Sequence, residues 1–176
     1  MRITVIGGTG MVGSATVTEA ASRGHEVISA SRSARHAEGA TQDVSLTLTD
    51  TQAVVDLINS SDATVIAVSA GRGESAQPVI NAHRALIAAA PAGRFVVVGG
   101  AGSLLTPDGA RLVDSPDFPE EYKPEALAFS EILDLYREAG SALNWTLLSP
   151  APEFTDKPRT GTYTEGGDQP AGSEIS

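Results

Sequence analysis

The chain has 176 residues, of which 41% are hydrophobic and 19% charged. That composition is typical of one globular domain and excludes a disordered or membrane-spanning chain as a whole. Its 12 basic and 22 acidic residues give a net charge of −10, which repels nucleic acid and anionic membranes, so we expect neither as a partner.

Metal chemistry and secretion also find no support in the sequence. The absence of cysteine excludes disulfides, thiolate metal sites and cysteine nucleophiles. His25, His36 and His83 lack the spacing of metal ligands, so we expect no metal. The apolar run 1–6 ends at Gly7 and is too short for the core of a signal peptide, which predicts a cytoplasmic protein.

The first part of the chain alternates strand and helix signals. β-branched runs bounded by glycine or polar residues predict strands, and longer stretches with apolar residues at helical spacing predict helices. The predicted elements are a strand at 3–6, a helix at 11–23 closed by Gly24, strands at 26–30 and 41–44, a helix at 50–59 with Asp50 as its N-cap, and a strand at 63–69.

The alternation resumes with a helix at 78–90, which starts at a proline, and a buried strand at 94–98. Residues 103–123 contain three prolines and no period, which is typical of a functional loop. A helix at 124–139 and a strand at 145–148 follow, and we assign no regular element after Pro150. Within these elements we expect Trp145 in the core and His83 on the surface.

This order of elements predicts an α/β fold. Parallel neighbouring strands require right-handed crossovers, so the helices cover both faces of one parallel sheet. No internal repeat is visible, and the length allows a single domain.

A glycine-rich loop follows the first predicted strand and opens the first helix. Residues 7–13 have the spacing G-x-x-G-x-x-G. In a dinucleotide site, Gly7 allows the tight turn, Gly10 lets the backbone approach the pyrophosphate, and Gly13 lets the helix pack on the strand. The N–H groups at the helix start then face the anion. The loop residues predicted to bind the cofactor are Gly7, Thr9, Gly10, Met11, Val12 and Gly13.

The end of the second strand indicates which dinucleotide is bound. An acidic residue there binds the ribose 2′-hydroxyl, whereas this chain has Arg32, with Arg35 nearby. Arg32 can hold a 2′-phosphate with two hydrogen bonds, which favours NADPH over NADH by roughly ten- to a hundredfold. A solvated surface arginine is the alternative. Asp43, at the end of the third strand, is a candidate for the adenine rim, or a turn residue.

The other strand ends complete the predicted crevice, because ligands of such sheets lie beyond the carboxyl ends of the strands. These ends are glycine-rich or polar. They contribute the predicted cofactor contacts Ser69, Ala70, Gly71, Ser149 and Pro150, and the stretch 99–103.

Four segments, 3–13, 97–104, 117–123 and 145–150, resemble the atypical short-chain dehydrogenase/reductases, the NAD(P)H-binding group that includes NmrA-like and epimerase/dehydratase-like proteins. The resemblance covers nearly the whole chain. It implies a Rossmann-type doubly wound sheet in a single domain, with an NAD(P)-binding part at 1–150 and a substrate-side segment at 151–176. It also implies an NADP(H) site at the glycine loop, Arg32 and the Ser69 turn.

The chain departs from this group in its catalytic residues. Conventional members use a Tyr-x-x-x-Lys pair, in which the lysine lowers the pKa of the tyrosine. Here the residues four positions after the tyrosines are Ala126, Gly140 and Gly167. We therefore assign catalytic roles to Ser103, which the group commonly uses to orient the substrate, and to Tyr122, beside Lys123. Ser103 as a simple turn residue, and Tyr163 as either a pocket residue or a loop anchor, stay open.

The last residues, 172–176, resemble a motif after which members of the group continue through a closing helix. We expect either that the chain is truncated here or that the helix is absent.

The sequence supports two functions. The first is an NADPH-dependent oxidoreductase that transfers hydride to a small acceptor such as a flavin, quinone or carbonyl, with NADH the less favoured cofactor. The second is a non-catalytic sensor of NADP(H), supported by the missing Tyr-x-x-x-Lys pair. Epimerase or dehydratase chemistry with bound NAD is a weaker third reading. A small molecule is the expected partner, and a homo-oligomer is compatible with the fold type.

Overall fold

The computed structural model describes residues 1–71, 75–155 and 160–175. The strands are β1 (Arg2–Ile6), β2 (Glu26–Ser31), β3 (Gln42–Ser45), β4 (Ala63–Ile66), β5 (Phe95–Val98), β6 (Trp145–Leu148), β7 (Glu153–Phe154) and β8 (Glu174–Ile175). The helices are α1 (Met11–Ser22), α2 (Thr51–Asn59), α3 (Gln77–Ala89) and α4 (Lys123–Ala139).

Strands β1 to β6 form one parallel sheet in the order β3-β2-β1-β4-β5-β6. The strand order reverses between β1 and β4, which are neighbours paired from Ile3 with Ala63 to Ile6 with Ile66. In a doubly wound sheet, this reversal opens a crevice at the carboxyl ends of the strands. The predicted Rossmann-type sheet is confirmed.

The helices bury apolar residues on both faces of the sheet. Helices α2, α3 and α4 pack side by side over the larger core, which contains Phe95, Val97 and Ile132. Helix α1 covers a smaller core with Val5, Val17 and Val27. The α1 side of the sheet is covered only in part, since Thr146 and Leu148 on that side of β6 are exposed.

The residues at the ends of the helices and strands explain where these elements begin or stop. The Asp50 carboxylate accepts a hydrogen bond from the Ala53 N–H, which confirms the predicted N-cap of α2. Gly24 has φ +77° after α1, as the predicted left-handed end requires. Strand β4 ends at Ile66, earlier than predicted, because its neighbour β1 ends at Ile6 and offers no further ladder partner.

His83 is buried, and the prediction that it lies on the surface is wrong. On α3 it is spaced three residues from both Ile80 and Leu86, so it shares their inward face. His83 Nδ1 lies 2.9 Å from the Tyr136 hydroxyl, and its Nε2 has no partner among the described residues. Burial lowers the pKa of His83 from 6.5 to about 4, so the ring is neutral at pH 7.

An aromatic cluster surrounds this pair. The Tyr136 ring stacks on Trp145 with centroids 5.2 Å apart and contacts Phe95 at 5.8 Å. Trp145 is partly buried against the larger core and donates its indole N–H to the Gly140 carbonyl at 3.0 Å. The core position predicted for Trp145 is confirmed.

The irregular stretch and the C-terminal segment pack around α4. Single 3-10 turns occupy Ala101–Ser103 and Leu112–Asp114. Arg111 binds both carboxylate oxygens of Asp134 at 2.6 and 2.7 Å. In the C-terminal segment, Asp168 pairs with Arg137 at 2.9 Å, and its carbonyl accepts the Leu105 N–H.

Two short strands, β7 and β8, pair in parallel beyond residue 150, where no regular element was predicted. Strands of two residues are too short for a sequence period to reveal them. Across residues 1–71, 75–155 and 160–175, none of the helices has the length and apolar content needed to cross a membrane.

Candidate functional site

The glycine loop forms the turn between β1 and α1, and two glycines in it permit contacts that a side chain would block. Gly7 has φ +87°, and a Cβ there would lie 2.3 Å from the Ala67 carbonyl oxygen. A Cβ on Gly13 would lie 2.0 Å from the Gly7 oxygen. Both distances are shorter than any real contact, so the tight turn and the close helix packing predicted for Gly7 and Gly13 are present.

Gly8 has a role that the spacing did not reveal. A Cβ on Gly8 would lie 2.5 Å from Ser29 Oγ on β2, so Gly8 lets the loop approach the neighbouring strand. The requirement comes from the pairing of β1 with β2, which spacing within the loop cannot show. Gly10 differs, because its Cβ would meet only the Gly7 oxygen, at 3.3 Å. Gly10 thus leaves its other side open, as an approaching pyrophosphate requires.

The start of α1 offers unpaired donors. Gly10 caps the helix without a side-chain hydrogen bond, and the first turn contains no acidic residue. The N–H groups of Met11, Val12 and Gly13 have no acceptor among the described atoms. A helix start of this kind binds anions. The residues present therefore fit the pyrophosphate of a dinucleotide.

Arg32 and Arg35 lie in the turn after β2. Both are exposed, and neither has an ion-pair partner in the part of the chain that the structure describes. Ala34, between them, has φ +48°, a left-handed conformation that costs a non-glycine residue about 1 to 2 kcal/mol. The two guanidinium groups are available to a phosphate at this end of the crevice.

Asp43 lies at the second position of β3, in register with Ser29, rather than at the strand end where it was predicted. Its carboxylate accepts the Ala37 N–H at 3.1 Å and lies 2.8 Å from His36 Nδ1. The hydrogen bond from His36 and that from the Ala37 N–H lower the pKa of Asp43. Asp43 therefore holds the loop that follows Arg32, and its contact with adenine stays a prediction.

The turn after β4 contains Ser69, Ala70 and Gly71. Ser69 Oγ accepts the Gly71 N–H at 3.2 Å and donates to Glu125 Oε1 on α4 at 2.5 Å. Ala70 is buried, and Gly71 has φ +89°. Glu125 was not among the predicted site residues, because the strand order that brings α4 to this turn is invisible in local sequence.

Ser103 and Ser149 meet beyond β5 and β6. Ser103 Oγ donates to the Gly100 carbonyl at 2.9 Å, and the two serine Oγ atoms are 3.1 Å apart. A hydroxyl has one hydrogen, so Ser149 is the donor to Ser103 in this arrangement. Ser103 bonds within its own turn, which is one of the two alternatives predicted for it, and its catalytic role stays a prediction.

A cavity of about 1180 Å³ adjoins this serine pair and reaches the glycine loop at Val12. Leu148 and Pro150 also line it, and Tyr163 of the C-terminal segment borders it while remaining 74% exposed. The choice between pocket residue and loop anchor for Tyr163 therefore stays open. Phe154 adds a second aromatic ring to the lining.

Tyr122 does not line this cavity, as far as the described residues show. It immediately precedes α4, and Lys123 forms an ion pair with Glu120 at 2.9 Å. The structure brings Ser103 and Ser149 into contact, and the catalytic role of Tyr122 stays a prediction. No three His, Cys, Asp or Glu side chains of the described ranges are grouped as a metal would need.

Comparisons with known proteins identify similar chains. Residues 7–176 match the model of a family described as NAD(P)H-binding. The protein YwnB of Bacillus subtilis, which is uncharacterised, is 39% identical over 175 residues, covering 96% of this chain and 80% of YwnB.

Two solved structures are similar over nearly the whole chain. One is a Streptococcus pneumoniae protein proposed to be an NADH-flavin reductase, with a TM-score of 0.83, 35% identity and coverage of 99% of this chain and 86% of that one. The other is a Burkholderia pseudomallei protein proposed to be exported, with a TM-score of 0.84, 32% identity and the same coverages.

Proposed function

Because the chain belongs to the NAD(P)H-binding family, we propose that it is an NADPH-dependent reductase that transfers hydride to a flavin. The observation that carries this proposal is the cavity that joins Val12 of the glycine loop to Ser103 and Ser149. The cavity of about 1180 Å³ also extends along β5 and β6 to Arg94, and the part of it beside Ser103 and Ser149 would take the acceptor next to the cofactor.

The chain's own residues would hold the dinucleotide at two places. The N–H groups of Met11, Val12 and Gly13 would bind the pyrophosphate. Arg32, with Arg35 in support, would bind a 2′-phosphate, which supports NADPH as the cofactor. The similar Streptococcus pneumoniae protein is proposed to use NADH, so the preference between the two cofactors needs a direct measurement.

The serine pair supports a flavin as the acceptor. Reduction of a ketone requires a proton donor at the carbonyl oxygen. The Ser103 hydrogen is used by Gly100 and the Ser149 hydrogen by Ser103, so the pair can accept a hydrogen bond but has none to donate. The ring of an oxidised flavin carries one N–H group, at N3, that can donate to Ser149. The similarity to a protein proposed to be an NADH-flavin reductase supports the same acceptor.

The remaining chemistry needs little from the protein. When bound, the reduced dinucleotide supplies the hydride and is itself oxidised, and a solvent proton completes the dihydroflavin. Tyr163 and Phe154 would stack against the flat ring, since aromatic faces favour such contacts. The C-terminal segment would limit the access of water to the ring.

The test is NADPH oxidation with a panel of riboflavin, FMN, a benzoquinone and simple ketones. We expect turnover with the flavins and none with the ketones. Ser149→Ala should raise the KM for flavin about three- to tenfold, the effect of one lost hydrogen bond, with an unchanged Kd for NADPH. Ser60→Ala, on the exposed end of α2, is the matched control.

Tight NADPH binding without turnover of any acceptor would contradict the reductase and favour the non-catalytic sensor. Rapid ketone reduction would instead contradict the acceptor assignment. A cytoplasmic location, a homo-oligomer and the division of the chain at residue 150 stay predictions, and the small-molecule acceptor is the partner we propose.

A further inference from the structure

A second polar contact, apart from the serine pair, joins the turn after β4 to helix α4. Ser69, in the turn after β4, donates to Glu125 in the first turn of α4, with Oγ and Oε1 2.5 Å apart. The same Ser69 Oγ accepts the Gly71 N–H at 3.2 Å. The Ser69 hydroxyl is therefore fixed from both sides, and it orients a carboxylate that lies 56 positions away in the chain.

The strand order places this carboxylate on one half of the crevice. The arginines that fit a 2′-phosphate follow β2, so the adenine half of a dinucleotide lies on the β1-β2-β3 side. The nicotinamide half then lies across the reversal point, over β4, β5 and β6. Ser69 follows β4, and the cavity with Ser103 and Ser149 follows β5 and β6. Through its contact with Ser69, Glu125 is held at the end of β4, on the side that the nicotinamide half would take.

The chemistry of a carboxylate limits what it can bind there. It repels phosphate groups and accepts hydrogen bonds from hydroxyls. The nicotinamide half of the dinucleotide carries two neighbouring hydroxyls, on its ribose, and the two oxygens of one carboxylate can accept hydrogen bonds from neighbouring hydroxyls. A contact between the Glu125 carboxylate and the ribose hydroxyls would therefore pair an acceptor with donors, and it would lie at the nicotinamide end of the cofactor.

We infer that Glu125, oriented by Ser69, binds the hydroxyls of the nicotinamide ribose. Glu125 would touch the cofactor directly, and Ser69 would act as a positioning residue through it. The inference rests on the proposed dinucleotide site, although it does not require that hydride reach any acceptor. Its effect would be to fix the ribose and so the position of the nicotinamide ring relative to Ser103 and Ser149.

The test compares whole dinucleotides with their adenine halves by titration calorimetry. NADPH is paired with adenosine 2′,5′-bisphosphate, and NADH with 5′-AMP, because these fragments lack the nicotinamide ribose. Glu125→Gln should weaken the tighter dinucleotide about tenfold or more, the effect of lost charge-assisted hydrogen bonds. The affinity of its fragment should not change. Ser69→Ala should give a smaller loss, about threefold, again with the fragment unaffected.

The fragment serves as the internal control for folding, because a misfolded variant would lose both ligands. Glu131→Gln is the matched control, since Glu131 lies on the same helix and pairs with Arg84 away from the crevice. Equal weakening of dinucleotide and fragment by Glu125→Gln, or no weakening of either, would overturn the assignment. A wild-type protein that binds no dinucleotide would overturn this inference and the proposed function together. If Glu125→Gln weakens only the whole dinucleotide and the wild-type protein reduces no acceptor, the result contradicts the proposed reductase activity and leaves this inference intact.

Discussion

Arginine side chains in this protein differ in whether they already have an acidic partner. Arg23, Arg84 and Arg111 pair with Glu19, Glu131 and Asp134 within the fold. Arg32, by contrast, lies exposed at the end of β2 with no partner in the described ranges. An arginine that forms no ion pair within its own chain can use all of its hydrogen-bond donors to bind a phosphate of a ligand.

Replacing Arg32 tests whether its side chain binds the 2′-phosphate of the cofactor. We expect Arg32→Ala to raise the Kd for NADPH about ten- to a hundredfold, because two charge-assisted hydrogen bonds to the 2′-phosphate are lost. The Kd for NADH, which has no such phosphate, should stay unchanged. Parallel calorimetric titrations measure both.

Arg23→Ala is the control for a general change of charge, since Arg23 lies at the far end of α1. If Arg32→Ala weakens NADH as much as NADPH, the side chain supports the loop and does not select the cofactor.

Among the elements, α3 ends in an unfavourable conformation. Its C-cap, Ala90, has φ +48° and ψ +61°, a left-handed geometry that favours glycine. The Cβ of an L-residue there approaches the following carbonyl oxygen. Helix α1 shows the relaxed alternative, because glycine occupies the left-handed position after it.

Ala90→Gly should therefore stabilise the protein, by about 1 kcal/mol in the free energy of unfolding. Ala88→Gly is the opposite control, because Ala88 is exposed within the helix, where glycine costs about 1 kcal/mol. Urea unfolding at one pH gives both values. Destabilisation by both substitutions to a similar extent would show that position 90 does not require a left-handed residue.

For the molecule as a whole, the buried His83 makes the stability depend on pH. The unfolded chain binds a proton at His83 near pH 6.5, whereas burial lowers the pKa in the folded protein to about 4. The unfolded state thus holds more protons between these values, so stability falls as the pH drops from about 6.5 towards 4. Over the step from pH 7 to pH 5 the loss from this group is about 2 kcal/mol.

Urea unfolding of the wild type and of His83→Asn at pH 7 and pH 5 isolates this contribution. The variant starts from a lower stability at pH 7, because it disturbs the contact with Tyr136. Its further loss on acidification should be smaller than that of the wild type by about 2 kcal/mol. Equal losses in both proteins would mean that His83 takes up its proton equally in the folded and unfolded chains.

The order of elements could be predicted from the sequence because its signals are local. A β-branched run, a proline at a helix start, or glycine after a helix acts on neighbouring residues through backbone geometry. The glycine loop is a signal of the same kind, so Gly7 and Gly13 could be assigned before the fold was known. The two-residue strands β7 and β8 could not, since their pairing joins Glu153 to Glu174 across the C-terminal segment.

The sequence by itself determined the α/β class, the dinucleotide loop and the arginine that follows β2, because each depends on residues adjacent in the chain. The tertiary structure decided the rest of the site. Only the strand order brings Ser103 to Ser149, Ser69 to Glu125 and His83 to Tyr136, pairs that lie 46 to 56 residues apart. No local pattern encodes such contacts, since each depends on how the crossovers place elements that are far apart in the chain.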